Sequence, residues 1–209
     1  LKGAFLDSHE IGAAAFGIQG TWTDGFRETF RKQSGYDLVP YLPAMARRVV
    51  DGRRQTNRFF WDYRRALAQC YLDFYARITE RAHRDGLVMR AENGYGSYPF
   101  PHIDGLAAYG RVDEPMAEFW FNDGSPWGVV MKQHYGYVDS VRTAASAARI
   151  YGKPLVVAES LTIVDGTRHP PAAWKAELDA QFANGMNAAM IHLWSCLLYT
   201  SDAADEEDS

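Results

Sequence analysis

Short apolar runs alternate with amphipathic helical patterns along residues 1–195 of the chain. Apolar runs of about four to eight residues between turn signals are typical of buried strands, whereas apolar residues three and four positions apart are typical of helices. Strands that alternate with helices imply a parallel sheet with right-handed crossover connections. The pattern therefore predicts an α/β fold, and it contains no internal repeat and no low-complexity linker.

The predicted strands end next to acidic residues. Five segments have the strand pattern, and they cover residues 3–7, 87–91, 115–121, 154–158 and 188–194. Glu10, Glu92 and Glu159 each follow the last apolar residues of a strand, and Glu118 lies near the end of the third one. In (β/α)8 enzymes the active site lies at the C-terminal ends of the strands. Surface loops also contain many glutamates, but the repeated placement favours an active site built from carboxylates.

Residues that favour helix termini flank the helical patterns. Thr23 or Asp24 is predicted to cap a first helix that stops at Gly35, and residues 42–50 form a second, short one. Thr56 is predicted to cap the longest helix, which continues to the glycine at position 86. The apolar face of that helix is interpreted as core packing and not as a cofactor site, and it consists of Phe59, Tyr63, Leu67, Tyr71, Phe74 and Ile78.

The last residues of the chain, 196–209, depart from this alternation. Residues 196–206 read CLLYTSDAADE, which matches one reading frame through the adapter of transposase-made sequencing libraries. A disordered acidic tail is the alternative interpretation. We expect residues 196–209 to be adapter read-through and exclude them from the fold, as one would a fusion scar.

Excluding the tail changes the charge balance. The tail holds five of the 26 acidic residues, so 22 basic and 21 acidic side chains remain, a net charge of +1. The basic residues are not clustered enough to indicate nucleic-acid binding, and no apolar run approaches the roughly 20 residues of a membrane span. Only Cys70 remains, which excludes an intrachain disulfide and a cysteine metal site. The glycine-rich motifs of nucleotide binding and of serine hydrolysis are also absent.

Several short segments resemble bacterial glycoside hydrolases of the α-L-rhamnosidase type, grouped as family 106. The segments match in order and spacing across nearly all of residues 1–195, and they are 6–10 (LDSHE), 35–43 (GYDLVPYLP), 91–96 (AENGYG), 113–120 (DEPMAEFW), 144–153 (AASAARIYGK), 158–160 (AES) and 185–192. One departure is His9, where many relatives carry a large aromatic residue. That departure bears on substrate specificity more than on the class of reaction.

The resemblance implies a partial (β/α)8 TIM barrel, truncated at both ends. If residues 188–194 form the eighth strand, the five predicted strands are approximately strands 4 to 8, and residues 1–195 are the C-terminal part of the catalytic domain. A barrel without its first strands exposes two unpaired edges, so the isolated piece is expected to be unstable, aggregation-prone and inactive. The resemblance also implies a periplasmic or secreted enzyme with a calcium ion near the substrate, whose ligands the sequence leaves unassigned.

The expected chemistry is glycoside hydrolysis by two carboxyl groups. One protonated carboxyl delivers a proton to the leaving oxygen, and an ionised one activates water or attacks the sugar. Many barrel glycosidases use strands four and seven, which here gives Glu10 as the general acid and Glu159 as the general base of an enzyme that the resemblance implies is inverting. The two roles could be exchanged, and Glu92 is a third candidate for catalysis, hydroxyl binding or calcium binding.

Further residues are candidates for binding the oligosaccharide or glycoside substrate. They combine aromatic stacking surfaces with polar groups, and they are Asp7, Trp22, Glu92, Tyr95, Glu118, Trp120, His134, His192 and Trp194. Core packing is the competing interpretation for the strand tryptophans and for the histidines. The leading hypothesis is hydrolysis of a terminal α-L-rhamnosyl or related deoxysugar linkage. The alternatives are another barrel glycosidase, such as a β-galactosidase-like one, and a carbohydrate-binding relative without catalysis.

Overall fold

Five parallel strands form one sheet in the computed structural model, which describes residues 2–7, 22–93, 104–121, 137–162 and 171–191. The strands are β1 (Gly3–Leu6), β2 (Val88–Glu92), β3 (Glu114–Trp120), β4 (Val157–Thr162) and β5 (Ala188–Ile191). Their order in the sheet is their order in the chain. Sequential parallel strands require a crossover connection between each pair, and this is the arrangement of an arc of a barrel. The predicted α/β fold with a parallel sheet is confirmed.

Helices connect these strands. They are α1 (Phe26–Ser34), a 3-10 turn (Val39–Tyr41), α2 (Leu42–Met45), α3 (Gly52–Arg84), α4 (Gly105–Gly110), α5 (Tyr137–Ile150) and α6 (Pro171–Ala183). No helix among the described residues combines the length and the apolarity that crossing a membrane requires.

The helix starts differ from the predicted ones. Gly25, at φ 81°, precedes α1, and neither Thr23 nor Asp24 caps it with its side chain. The cap predicted at Thr56 is also wrong, because α3 begins one turn earlier, after Asp51 in a left-handed conformation. The Val50 amide instead donates to the Thr56 hydroxyl oxygen at 2.9 Å, and this bond ties the preceding segment to the helix.

The short helix predicted over residues 42–50 covers only α2. Arg47 adopts a positive φ of 61°, which a right-handed helix cannot contain. The amide of Arg47 still bonds to the carbonyl of Ala44, so the chain leaves the helix in a tight turn.

Strand β4 starts and ends later than the predicted segment 154–158. The Val156 amide donates to the Asn187 side chain at 2.8 Å, and the Asn187 amide donates back to the Val156 carbonyl. A side chain therefore takes the place of strand pairing until Val157, where the register with Ala188 begins. At its other end β4 pairs with β3 as far as Thr162, so Glu159 lies within β4 and not after it. Strand β5 is described only to Ile191, so the predicted residues 192–194 lie outside the described part.

Three apolar clusters hold the helices in place. The first packs α5 against β3 and β4, and the second packs the C-terminal half of α3 against β1 and β2. The third joins α1 and α2 to the N-terminal half of α3. On α3, Phe59, Tyr63 and Tyr71 are buried and the other three predicted face residues are partly buried, so the packing interpretation is confirmed.

Candidate active site

The strand register brings acidic residues to one face of the sheet. Glu92 is paired with Met116 and Glu118 with Glu159. Because side chains alternate along a strand, these residues share one face, and Glu118 lies two positions beyond Met116. Asp7 follows β1 one residue beyond the pair of Leu6 with Ala91, which places it level with Glu92. All four carboxyl groups therefore lie toward the C-terminal ends of the strands.

Three of these carboxyl groups form a compact cluster. One oxygen from each of Asp7, Glu92 and Glu159 lies within 4.8 Å of the other two. Glu92 and Glu159 are buried, at 1% and 8% exposure, whereas Asp7 is exposed. The cluster is thus open to solvent on the Asp7 side and closed beneath Glu92. We call these three residues the carboxylate cluster.

Glu92 is the most perturbed acid of the cluster. Burial, the charges of Glu118, Glu159 and Asp7, and a hydrogen bond to Asp7 together raise the pKa of its carboxyl to about 10, with burial as the largest cause. Both Glu92 oxygens are fully buried, and neither has a hydrogen bond of good geometry to a described residue, although the Asp7 carboxyl is near enough to share a proton. Glu92 must therefore hold a proton or face a cation when the other two are ionised.

Helix α3 supports the end of β2 from behind. The Tyr75 hydroxyl donates a hydrogen bond to the backbone carbonyl of Glu92 and lies 3.1 Å from the Tyr71 hydroxyl. Burial raises the pKa of Tyr75, so its hydroxyl keeps its proton and stays a donor. On the other side, the side-chain amide of Asn93 donates to the Gly105 carbonyl at 2.9 Å. These contacts fix the backbone that carries the Glu92 side chain.

Neighbouring hydroxyl and indole groups orient the other two glutamates. The Thr162 hydroxyl donates to Glu159 Oε1 at 2.6 Å. The Trp120 indole donates to Glu118 Oε1 at 2.5 Å, and the Glu118 amide donates to the Ser140 hydroxyl oxygen at 3.1 Å. The indole plane of Trp120 is therefore held by a carboxylate of the same strand, beside a bulge in the pairing of β3 with β4.

The structure brings together four of the predicted site residues, namely Asp7, Glu92, Glu118 and Glu159, with Trp120 beside them. Trp22 is 52% exposed, and its ring is in edge contact with Phe26 of the third apolar cluster. The other candidates lie outside the described residues, and they are Glu10, Tyr95, His134, His192 and Trp194.

Two supporting residues were not predicted from the sequence. Thr162 belongs to a strand that was expected to end at residue 158, so the sequence did not predict its contact with Glu159. Tyr75 lies four residues after Tyr71 on α3, and that spacing is the signal by which it could have been found. Its contact with the end of β2 follows from packing and not from spacing.

The donor set of the cluster fits a divalent cation. Carboxylate oxygens are the hard ligands that calcium prefers, and here three of them converge. The two buried Glu92 oxygens without well-formed hydrogen bonds provide the additional sign, because a buried acceptor normally has a partner.

Comparisons with known proteins show the family to which the chain belongs. The profile of glycoside hydrolase family 106, described as alpha-L-rhamnosidase, matches residues 1–196. The solved structure of the rhamnosidase from Novosphingobium sp. PP1Y is similar, with a TM-score of 0.74 and 31% identity over 91% of this chain and 17% of that chain. A "Putative beta-glucuronidase" of Formosa agariphila is 31% identical over 195 residues, 93% of this chain and 15% of that protein. The chain spans about a sixth of the length of both relatives, and it belongs to glycoside hydrolase family 106.

Proposed function

We propose that the protein hydrolyses a terminal α-L-rhamnosyl or related deoxysugar linkage by acid–base chemistry between two carboxyl groups. The observation that supports this most is the carboxylate cluster at the C-terminal ends of parallel strands, which is where barrel enzymes place their catalytic groups. Membership in the rhamnosidase family supports the class of reaction. The substrate is a glycoside or oligosaccharide.

In this proposal Glu159 is the general base. The Thr162 hydroxyl donates to Glu159 Oε1 and so orients this carboxylate, which in the proposal takes a proton from water. An inverting glycosidase needs its two carboxyl groups roughly 6.5–9.5 Å apart, so that a water molecule fits between the base and the sugar. Asp7 and Glu92 have oxygens within 4.8 Å of Glu159, which is too close for that role.

The general acid of an inverting reaction must therefore come from another segment, and we assign that role to Glu10. It lies three residues beyond Asp7 in the connection that leaves β1. The acid protonates the leaving oxygen while the base deprotonates water on the opposite face of the sugar ring.

We further propose that a calcium ion belongs to this site and that Asp7 and Glu92 would hold it, with Glu159 within reach. A bound calcium ion would supply positive charge that orients the sugar hydroxyls. The support is the all-oxygen donor set and the buried Glu92 oxygens. Glu92 then loses its proton at neutral pH, because a nearby cation favours the charged form of a carboxyl.

The remaining contacts to sugar are proposed for the polar and aromatic residues near the strand ends. Glu118 and Trp120 lie beside the cluster, and the proposal is that a sugar ring stacks on the part of the indole that does not pack against the first apolar cluster. Contacts to sugar are also proposed for the remaining candidates, which are Trp22, Tyr95, His134, His192 and Trp194.

We also propose that residues 1–195 are strands four to eight of the catalytic barrel of a periplasmic or secreted enzyme, and that residues 196–209 are not native. The inward faces of β1 and β2 support the first part, because Phe5 and Val88 are 47% and 42% exposed there. Apolar side chains on the inside of a closed barrel are normally covered.

The test uses protein expressed from the complete reading frame that contains this chain. We expect hydrolysis of an aryl α-L-rhamnoside, with loss of about a thousandfold in kcat for Glu159→Gln because proton transfer is removed. The matched control is Glu80→Gln, at an exposed glutamate of α3. Release from β-galactosides or β-glucuronides alone would contradict the rhamnosidase assignment, and binding without any turnover would favour the non-catalytic alternative.

A further inference from the structure

Helix α3 extends far beyond the sheet on the side where the carboxylate cluster lies. Tyr75 contacts the carbonyl of Glu92, so this turn of α3 is level with the cluster. Ala82 and Met89 both belong to the second apolar cluster, and Met89 lies near the start of β2. Helix α3 therefore runs antiparallel to that strand. At about 1.5 Å per residue, residues 52–74 rise roughly 35 Å past the end of β2.

One face of α3 continues from Tyr75 toward the N-terminus of the helix, past the C-terminal end of β2. Residues 57 and 75 are five helical turns apart at about 3.6 residues per turn, so they point in the same direction. The residues between them at steps of three and four share this face, and they are Trp61, Arg64, Ala68 and Tyr71. We call Asn57, Trp61 and Arg64 the upper stripe.

The upper stripe is exposed, and the opposite face of the helix is not. Phe59 and Tyr63 on the opposite side are buried against α1, where Phe26 lies 5.0 Å from the Tyr63 ring. In contrast, Trp61 is 65% exposed, more than any other large apolar side chain of the described residues. An exposed tryptophan on a helix is a good stacking surface for a ligand, because covering it removes a large apolar surface from water.

The same half of the helix carries an excess of positive charge. Residues 47–65 contain seven arginines and two aspartates. Asp62 is buried and lies 3.5 Å from Arg58 and 3.7 Å from Arg65, which neutralises part of that charge. Asp51 accepts from the Tyr41 hydroxyl at 3.1 Å. Arg64 is exposed on the upper stripe, roughly 16 Å above the level of Tyr75, and Trp61 is roughly 21 Å above it.

We propose that the upper stripe is a remote subsite for an acidic glycan, in which Trp61 stacks on a sugar ring and Arg64 binds a uronate carboxylate. The inference rests on the proposed function and names its substrate class. The substrate is an oligosaccharide of several sugars, because the stripe begins roughly 16 Å above the level of the cluster. A guanidinium fits a carboxylate with two parallel hydrogen bonds.

The charge distribution supports this division of the substrate. The carboxylate cluster repels anionic groups, so the sugar at the reacting end is neutral, as a deoxysugar is. The arginines of α3 attract anionic groups at a distance from that cluster. A chain with a neutral terminal sugar and acidic sugars behind it matches both regions at once, and the matching potentials also fix its direction.

The test measures binding to protein from the complete reading frame that carries Glu159→Gln, so that the ligand is not consumed. The probes are a rhamnose-terminated oligosaccharide of four to six sugars that contains uronic acid, and the same oligosaccharide after reduction of its carboxyl groups. Isothermal titration calorimetry should show that the acidic form binds roughly tenfold more tightly than the reduced form. The Arg64→Ala variant should lose this difference in affinity. Trp61→Ala should weaken binding of both forms by a similar factor.

Two controls remove similar groups from other surfaces. Arg77→Ala removes an exposed arginine on the opposite side of α3, and Phe182→Ala removes an exposed aromatic ring from α6. Both should leave the affinities unchanged. Equal affinity for the acidic and reduced probes, or unchanged binding after Trp61→Ala, would overturn the proposal. So would a lower unfolding temperature of Trp61→Ala without a change in binding, which would mean that another domain covers the stripe. Failure to hydrolyse an aryl α-L-rhamnoside overturns the proposed function instead. The comparison of affinities still tests the subsite in that case, because it requires no turnover.

Discussion

Replacing Glu92 by glutamine should change how the stability of the protein depends on pH. Burial and the neighbouring charges of Glu118, Glu159 and Asp7 raise the pKa of Glu92 to about 10 in the folded protein, against 4.5 for an ordinary glutamate. Between these values the folded state holds a proton that the unfolded chain has lost. Stability therefore falls as pH rises through this window, since the unfolded state binds fewer protons.

The magnitude follows from the width of the window. At pH 7 the solution is about 2.5 pH units above the pKa of Glu92 in the unfolded chain. This difference corresponds to roughly 3 kcal/mol of folding stability lost relative to pH 4. For a domain of this size that is a fall of roughly 6–12 °C in the unfolding temperature. Glutamine keeps the shape of the side chain and has no proton to lose, so the Glu92→Gln variant lacks this contribution.

The assay is thermal unfolding followed by circular dichroism from pH 5 to pH 9 with a chelator present. The wild type should lose stability with rising pH relative to Glu92→Gln, while Glu80→Gln should follow the wild type. Calcium should reverse the trend for the wild type only, because a bound cation stabilises the ionised carboxylate. Parallel curves for the wild type and Glu92→Gln across this range would refute the assignment of a buried, protonated Glu92.

Other variants test individual contacts. Tyr75→Phe removes the donor to the last carbonyl of β2, and it should cost roughly 1 kcal/mol in chemical denaturation and weaken calcium binding in calorimetry. Thr162→Val keeps the shape of the side chain but removes the hydrogen bond to Glu159, so kcat on an aryl glycoside should fall about tenfold with little change in KM. Gly185→Ala should destabilise the protein by roughly 1–3 kcal/mol, because a Cβ there meets the Ala145 Cβ at 2.7 Å and φ is +111°. Thermal unfolding should then show partial recovery when Ala145 is changed to glycine.

The strands and their acidic ends could be predicted from the sequence because both signals are local. Apolar runs mark the strands, and the position of Glu92 or Glu159 relative to such a run gives its place at the edge of the sheet. Parallel order then brings residues from distant parts of the chain together without any knowledge of side-chain contacts. This is why Asp7, Glu92 and Glu159 could be named as candidates for one site.

The helix starts and the supporting contacts could not be predicted in this way, because tertiary contacts decide them. Thr56 has the residue type of a cap, yet Asp51 begins the helix because the chain turns through a left-handed conformation there. Strand β4 begins only at Val157 because the Asn187 side chain binds the Val156 amide, and it extends to Thr162 because it pairs with β3 across a bulge. The role of Glu10 rests on residues beyond the described part of the chain and stays a prediction.

The small residues of α5 have a consequence for how this fold tolerates sequence change. Ala144, Ala147 and Ala148 let the helix lie against β3 and β4. On one side of it, a Cβ added at Gly110 would lie 2.6 Å from the Tyr151 ring. On the other side Gly185 meets the same helix. Enlarging Gly185 or one of these alanines pushes α5 outward and withdraws support from the strands that carry Glu118 and Glu159, whereas enlarging Gly110 displaces the half-exposed Tyr151 ring. Substitutions at these positions should therefore be accepted in compensating pairs, so that a randomised library would recover covarying combinations and few single changes.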